Sequence, residues 1–302
     1  MKKIILCLSF LISFYHITFS QGCNDAGFCT IGDMKSAQQT DSSRSEIGIS
    51  NIFRLGEKET MWFTLQAQGG FKLWKSGKLS LQAPFHFIYG NLGFIAGLGD
   101  IAPSFTQELY KHDKTKLSLT FAGKIPTNNA NLLKDNEPLP MAYQPSQGTW
   151  DGIAGVSVFY KLWHLSLGFQ HNFNSNKNMY IDSLSLLNKK VSFFDSRKID
   201  RGDDVLLRIE KIFEKDGKPQ YFLSILPIYR LQKATIENTA GERISVEGSS
   251  GLTLNVNAGY LHSLGKTGKM KLLLGFPTIT RHVRPDGLTG TFVISFSANW
   301  TI

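Results

Sequence analysis

From Phe292 to Ile302 every second residue is apolar: Phe292, Ile294, Phe296, Ala298, Trp300 and Ile302. Between them stand Val293, Ser295, Ser297, Asn299 and Thr301, mostly small and polar. A period of two puts these sets on opposite faces of one strand. The strand runs to the last residue and its outer side chains are large. That pattern fits the closing strand of an outer-membrane barrel, with lipid on one face and a polar lumen on the other. It equally fits the last strand of a soluble sandwich, so the rest of the chain has to separate the two.

The amino terminus points to export. Lys2 and Lys3 precede an apolar run from Ile4 to Phe19, and Thr18-Phe19-Ser20 offers the small residues of a cleavage site. Residues 1–20 are therefore expected to be a signal peptide, cut near Ser20-Gln21. Cleavage before Cys23 as a lipoprotein is the rival reading. The run is too short for a comfortable bilayer span, and no later segment approaches ~20 unbroken apolar residues. Cys23 and Cys29, six apart in an oxidising compartment, are expected to form one small disulfide loop. No Cys or His beside them suggests a metal.

Ten-residue alternations recur along the chain. Leu165, Leu167, Phe169, His171 and Phe173 share one face; Leu252, Leu254, Val256, Ala258 and Tyr260 share another. Leu79, Leu81, Ala83, Phe85, Phe87 and Tyr89 repeat the pattern. Such strands exceed the soluble norm of about five or six residues and match the roughly nine to eleven that cross a tilted barrel wall. About twelve are read: near 44–55, 60–74, 78–89, 93–110, 114–124, 149–162, 163–174, 202–214, 218–232, 250–263, 267–281 and 289–302. Links after even strands are short, as in Lys75-Ser76-Gly77 and Lys215-Asp216-Gly217. Links after strands 5, 7 and 9 are long, covering 125–148, 174–201 and 233–249. Short turns on one side and long loops on the other are the barrel's signature, and a sandwich has no reason to sort loops by parity. The expected fold is all-β: a transmembrane antiparallel up-and-down β-barrel over residues 44–302, in the bacterial outer membrane. Residues 21–43 precede it as a periplasmic lead or a small plug.

Trp62, Trp74, Tyr89, Tyr110, Trp150, Tyr160, Trp163, Tyr260 and Trp300 fall toward strand ends, as girdle aromatics do. The formal charge is +9, but Lys and Arg are scattered over turns and strand ends. That argues against nucleic acid as a partner and for anionic lipid and lipopolysaccharide.

Gly97-Leu98-Gly99-Asp100-Ile101, followed by Gln144-Pro145-Ser146-Gln147-Gly148-Thr149-Trp150-Asp151, resembles the outer-membrane family of phenol-degradation (meta-pathway) transporters. That family is distantly similar to fatty-acid transporter barrels. The start from Gln21 to Gly32 is similar to exported barrels of the Bacteroidetes type. The resemblance implies a barrel that moves small, hydrophobic or aromatic molecules. The fatty-acid barrels carry a longer hatch and more strands than this chain offers.

Side-facing parity selects the candidate lumen residues: Lys72, His86, Lys116, Arg208, Glu210 and Arg230, with Asp100 in a Gly-rich stretch whose side is ambiguous. A charge facing hydrocarbon costs several kcal/mol, so these point inward, either as a solute path or as ion pairs that plug the lumen. Arg208, Glu210 and Arg230 are expected to form one patch across the hairpin at Lys215-Asp216-Gly217. Strand spacing pairs no His with a Ser and an acid, and no metal cluster, phosphate loop or nucleophile elbow stands out. The sequence therefore predicts a channel or transporter without enzymatic activity or cofactor, recognised through its last strand by the barrel-assembly machinery. A non-conducting barrel serving as an anchor or partner platform is the alternative, and a barrel lipase or protease a more distant one.

Overall fold

The structure, a computed structural model, describes residues 31–36, 44–56, 58–188, 190–215, 218–287 and 290–302. The signal segment, Cys23 and Cys29 lie outside the described residues. Twelve antiparallel strands form the wall: β1 (Glu46–Gly56), β2 (Met61–Trp74), β3 (Gly77–Gly90), β4 (Gly93–Leu98 and Ala102–His112), β5 (Thr115–Lys124), β6 (Asp151–Tyr160), β7 (Trp163–Asn172), β8 (Asp204–Lys215), β9 (Lys218–Arg230), β10 (Gly251–Leu264), β11 (Gly268–Ile279) and β12 (Gly290–Thr301). Each pairs with its neighbour in sequence. β12 closes the sheet on β1, from Glu46↔Thr301 up to Gly56↔Gly290. Closure pairs the first strand with the last, so neither is left as an open edge, which a bilayer would not tolerate.

The wall sorts its side chains as the alternation requires. On β7, Leu165, Leu167 and Phe169 are exposed outward, while His164, Ser166 and Gln170 are buried inward. Trp74, Tyr110, Tyr160, Trp163, Tyr221 and Trp300 ring the end with the short turns, and Tyr89, Trp150, Phe173 and Tyr229 the opposite end, all exposed. Rings at these two levels sit where lipid headgroups meet hydrocarbon. Lys161 and Lys211 lie over Tyr160 and Trp163, 5.1 and 4.7 Å from the ring centres. Trp62 is not a girdle residue. It faces inward, 6% exposed, with the Arg54 guanidinium 4.2 Å above its ring. Its even position on β2 places it in the lumen, although it lies near a strand end as the girdle residues do.

Two irregularities mark the wall. β4 breaks at Gly99-Asp100-Ile101, between a stretch paired only with β3 and one paired with β3 and β5. The β8–β9 ladder skips Leu207 and Arg208, opposite Leu226 and Pro227. Proline lacks the donor the ladder needs, so the gap falls beside it.

The long loops on one side fold over the barrel mouth as a lid with its own core. Leu139, Ala142 and Tyr143 pack with Tyr180, Leu187 and Phe193 above Trp62, Ile88 and Leu92. Ala130, Met141, Ile199, Ala234 and Ile236 form a second cluster. By the rule of short periplasmic turns, this lid is expected to face outside the cell. Epitope tags inserted within 125–148, 175–200 or 233–249 are expected to bind antibody on intact cells, and a tag at Lys215-Asp216-Gly217 is not. The reverse labelling would invert the barrel.

Candidate functional site

Eight strands close a barrel that side chains alone can fill; twelve leave room inside. Here the inward face at mid-height is lined with small residues, among them Ser104, Thr106, Thr120, Gly155, Ser157 and Ser166. The space they leave is taken by the chain itself. Ile31–Ser36, with a short 3-10 turn at Gly32–Met34, crosses the lumen.

Four quadrants of the wall hold this segment. From β5, the Lys116 ammonium lies 2.8 Å from the Asp33 carboxylate, and the Ser118 hydroxyl donates to it at 2.6 Å. From β8, Arg208 Nε donates to the Met34 carbonyl at 3.1 Å, and Glu210 accepts from the Ser36 hydroxyl. From β11, Lys271 Nζ donates to the Ser36 carbonyl at 3.1 Å. From β2, Gln68 accepts from Lys35 Nζ at 3.2 Å. Ile31 and Met34 pack on an apolar patch of Ala102, Ile153, Leu206, Leu226 and Ile228. Gly32 has a φ of +53°, and a Cβ there would lie 2.6 Å from Thr120, so only glycine fits. A side chain at Gly155 would collide with the Met34 sulfur. Burial, with Lys78 nearby, holds the Lys35 ammonium below its ordinary range against the pull of Glu46 and Asp33.

A second charged cluster closes the outer mouth. Arg230 forks onto Asp204 at 2.9 and 2.8 Å and reaches Asp286 at 2.5 Å, where Arg281 adds a contact at 3.3 Å. Arg201 meets Asp151 at 2.6 Å, and Lys124 lies 3.4 Å from Asp100 and 3.6 Å from Asp151. Burial alone would raise the Asp286 carboxyl, but Arg281, Arg230 and Arg201 outweigh it and hold it well below the carboxylate range. Asp100 sits in the β4 break, where it accepts from the Ser146 hydroxyl at 2.5 Å and the Gln147 amide at 3.2 Å. The two sequence pieces that carry the family resemblance thus meet in space, one anchoring the other.

The candidate lumen residues separate into groups. Lys116, Arg208 and Glu210 meet at the segment. Arg230 does not join them: it pairs across from Asp204, four residues along β8 from Arg208, or about 13 Å of strand. The expected single patch is therefore two. Lys72 keeps lumen parity but is exposed at the periplasmic rim, its amide bound to Ser45. His86 bonds the Thr64 hydroxyl at 2.8 Å, edge-on to Trp62.

Sequence spacing also missed a buried Ser–His–acid array. The Ser166 hydroxyl lies 2.7 Å from His164 Nε2, and His164 Nδ1 lies 3.4 Å from Glu210. Ser166 shares its hydroxyl with Ser157 at 2.8 Å, and Phe159 stacks on the imidazole. The backbone around Ser166 lies in ladders with β6 and β8, so no pair of free amides converges there to hold an oxyanion. Among the described residues, no group of three or more His, Cys, Asp or Glu is placed to hold a metal.

No family model matches this chain, and neither does any curated protein. Solved structures do. The COG4313 outer membrane channel from Pseudomonas putida F1 superposes with a TM-score of 0.55 at 13% identity, over 88% of this chain and all of that one. Looser likenesses include the NanC porin (TM-score 0.45, 6% identity, 85% of this chain and 98% of that one) and the KdgM porin (0.42, 7%, 85% and 99%). At such identity the first match shows a shared fold. Together with the apolar outer band, that fold makes this chain a bacterial outer-membrane β-barrel.

Proposed function

We propose that the barrel is a channel for small molecules across the outer membrane, held closed by its own amino-terminal segment beneath a folded lid. The observation that carries this reading is the occupant. A purely structural barrel can fill its lumen from the wall. This wall carries small residues at mid-height, and a short piece of chain fills the space through polar contacts that water or a solute can replace. The apolar patch under Ile31 and Met34 supports small solutes with a hydrophobic or aromatic part, in keeping with the family resemblance at Gly97–Ile101 and Gln144–Asp151. In this reading lipid and lipopolysaccharide meet the outer band, and β12 is the strand that the assembly machinery reads.

The test is planar-bilayer conductance of the purified full chain. Wild type is expected to be mostly silent. The triple variant I31G/D33G/M34G, which removes the segment's ion pair with Lys116 and its two apolar anchors and leaves the wall intact, is expected to show stepwise openings. A heat-dependent shift on gels verifies that the barrel is folded. Silence from a folded triple variant would remove the channel reading and leave the anchor or platform in its place.

A further inference from the structure

We propose that the level of the lumen now occupied by the segment is an anion site, which admits solutes bearing carboxylate-type oxygens. This rests on the channel reading and names the class of solute. Every cationic contact the wall makes with Ile31–Ser36 ends on an oxygen. Lys116, helped by the Ser118 hydroxyl, holds the Asp33 carboxylate at 2.8 Å. Arg208 holds the Met34 carbonyl and Lys271 the Ser36 carbonyl, both at 3.1 Å. The three donors stand on β5, β8 and β11, three strands apart in the ring, so they converge on one level from separate sides. The segment's oxygens occupy the places that the oxygens of a solute would take.

Carboxylate supply separates this level from the outer mouth. There, four buried carboxylates, Asp100, Asp151, Asp204 and Asp286, pair with Lys124, Arg201, Arg230 and Arg281, with Arg54 and Arg284 buried at the same end. Among the described residues, the wall at the segment's level sets Lys116, Arg208 and Lys271 against one carboxylate, Glu210, which lies 3.8 Å from Arg208. Lys78 and Glu46 pair with each other at 3.0 Å. The segment brings Asp33 and Lys35 together and so carries no net charge of its own. The wall's positive excess therefore persists when the segment leaves, and low-dielectric walls focus its field on the passage. The apolar patch under Ile31 and Met34, which includes Leu206 two residues from Arg208 on the same face, gives such a solute a place for a hydrophobic body.

The experiment measures reversal potential across a potassium chloride gradient, with the full-length I31G/D33G/M34G variant in a planar bilayer. Chloride is expected to permeate severalfold better than potassium, and benzoate replacing chloride is expected to carry current. Adding K271E to the triple variant should bring the permeability ratio toward unity while the heat-dependent gel shift is kept. Should K271E not fold, K271Q takes its place with the same expected direction. Openings that are unselective or favour potassium would overturn the anion site while leaving the channel standing, as would a folded Lys271 variant with unchanged selectivity. Current carried by chloride but not by benzoate would overturn the carboxylate assignment. Silence from a folded triple variant would instead count against the channel itself.

Discussion

Leu167→Arg is expected to lower the folding stability of the barrel by about 2–4 kcal/mol, and Tyr160→Arg by only about 0–1 kcal/mol. Both side chains point outward and are about equally exposed, at 50% and 51%. They differ in depth. Leu167 lies in the middle of β7, between Leu165 and Phe169 on its own face, and pairs with Val156 on β6 and Leu207 on β8, so a charge there meets hydrocarbon on every side. Tyr160 ends β6 at the level of the periplasmic girdle, where a guanidinium can reach phosphate and water. Urea titrations of folding into lipid vesicles measure both. A protein layer over this face would be blind to height along the strand. Equal losses at the two positions would therefore mean that the apolar band is covered by protein and not by lipid.

The wall was legible in the sequence because its signal is local and repeated. The alternation along β7, β10 and β12 is a property of neighbouring residues, and loop lengths sorted by parity are a property of the chain as a string. Strand ends read from the alternation fall within a few residues of those observed, but the fourth strand, expected unbroken over 93–110, breaks at Gly99-Asp100-Ile101. What stayed hidden depends on contacts between distant residues. Nothing near Lys116 indicates that its partner is Asp33, because strand parity says only that an ammonium points inward. Arg208 and Arg230 share a face and a hairpin, yet the height between them assigns one to the segment and the other to the lid. Trp62 lies near a strand end like a girdle residue, but it shares the inward parity of Thr64 on β2, and the lid folds above it. The Gly97–Ile101 and Gln144–Asp151 stretches were noticed as a resemblance, while their meeting through Asp100 is a tertiary fact. The signal available beforehand was modest: an Asp in a glycine-rich strand needs donors, and a loop rich in Ser, Gln and Gly amides can supply them.

Arg230→Met is expected to loosen the lid while leaving the wall in place. Arg230 binds Asp204 with two parallel hydrogen bonds and Asp286 with a third, all three side chains being buried. A buried ion pair adds little over an apolar substitute, but removing one partner strands the other, at a cost of about 3–5 kcal/mol. The thioether would leave Asp204 without the fork that now neutralises it and Asp286 without one of the cations that offset its burial. The strain falls on the 280–287 loop, because Asp204 is fixed at the start of β8 by pairing with β7 and β9. Amide hydrogen exchange should therefore rise in 280–287 and in the lid segments that touch it, with the strand amides of β8 and β9 protected as before. Adding Asp204→Asn and Asp286→Asn removes the stranded charges and should restore much of the protection. Acid works in the same direction. The depressed Asp286 carboxyl contributes stability above the ordinary carboxylate pKa of about 3.9, and this is lost only as pH falls through its lowered folded value. The wild-type lid should thus stay closed at pH 4. Exchange in 280–287 that is the same in wild type and Arg230→Met would mean that the cluster is incidental and that apolar packing around Met141 and Tyr143 alone holds the lid shut.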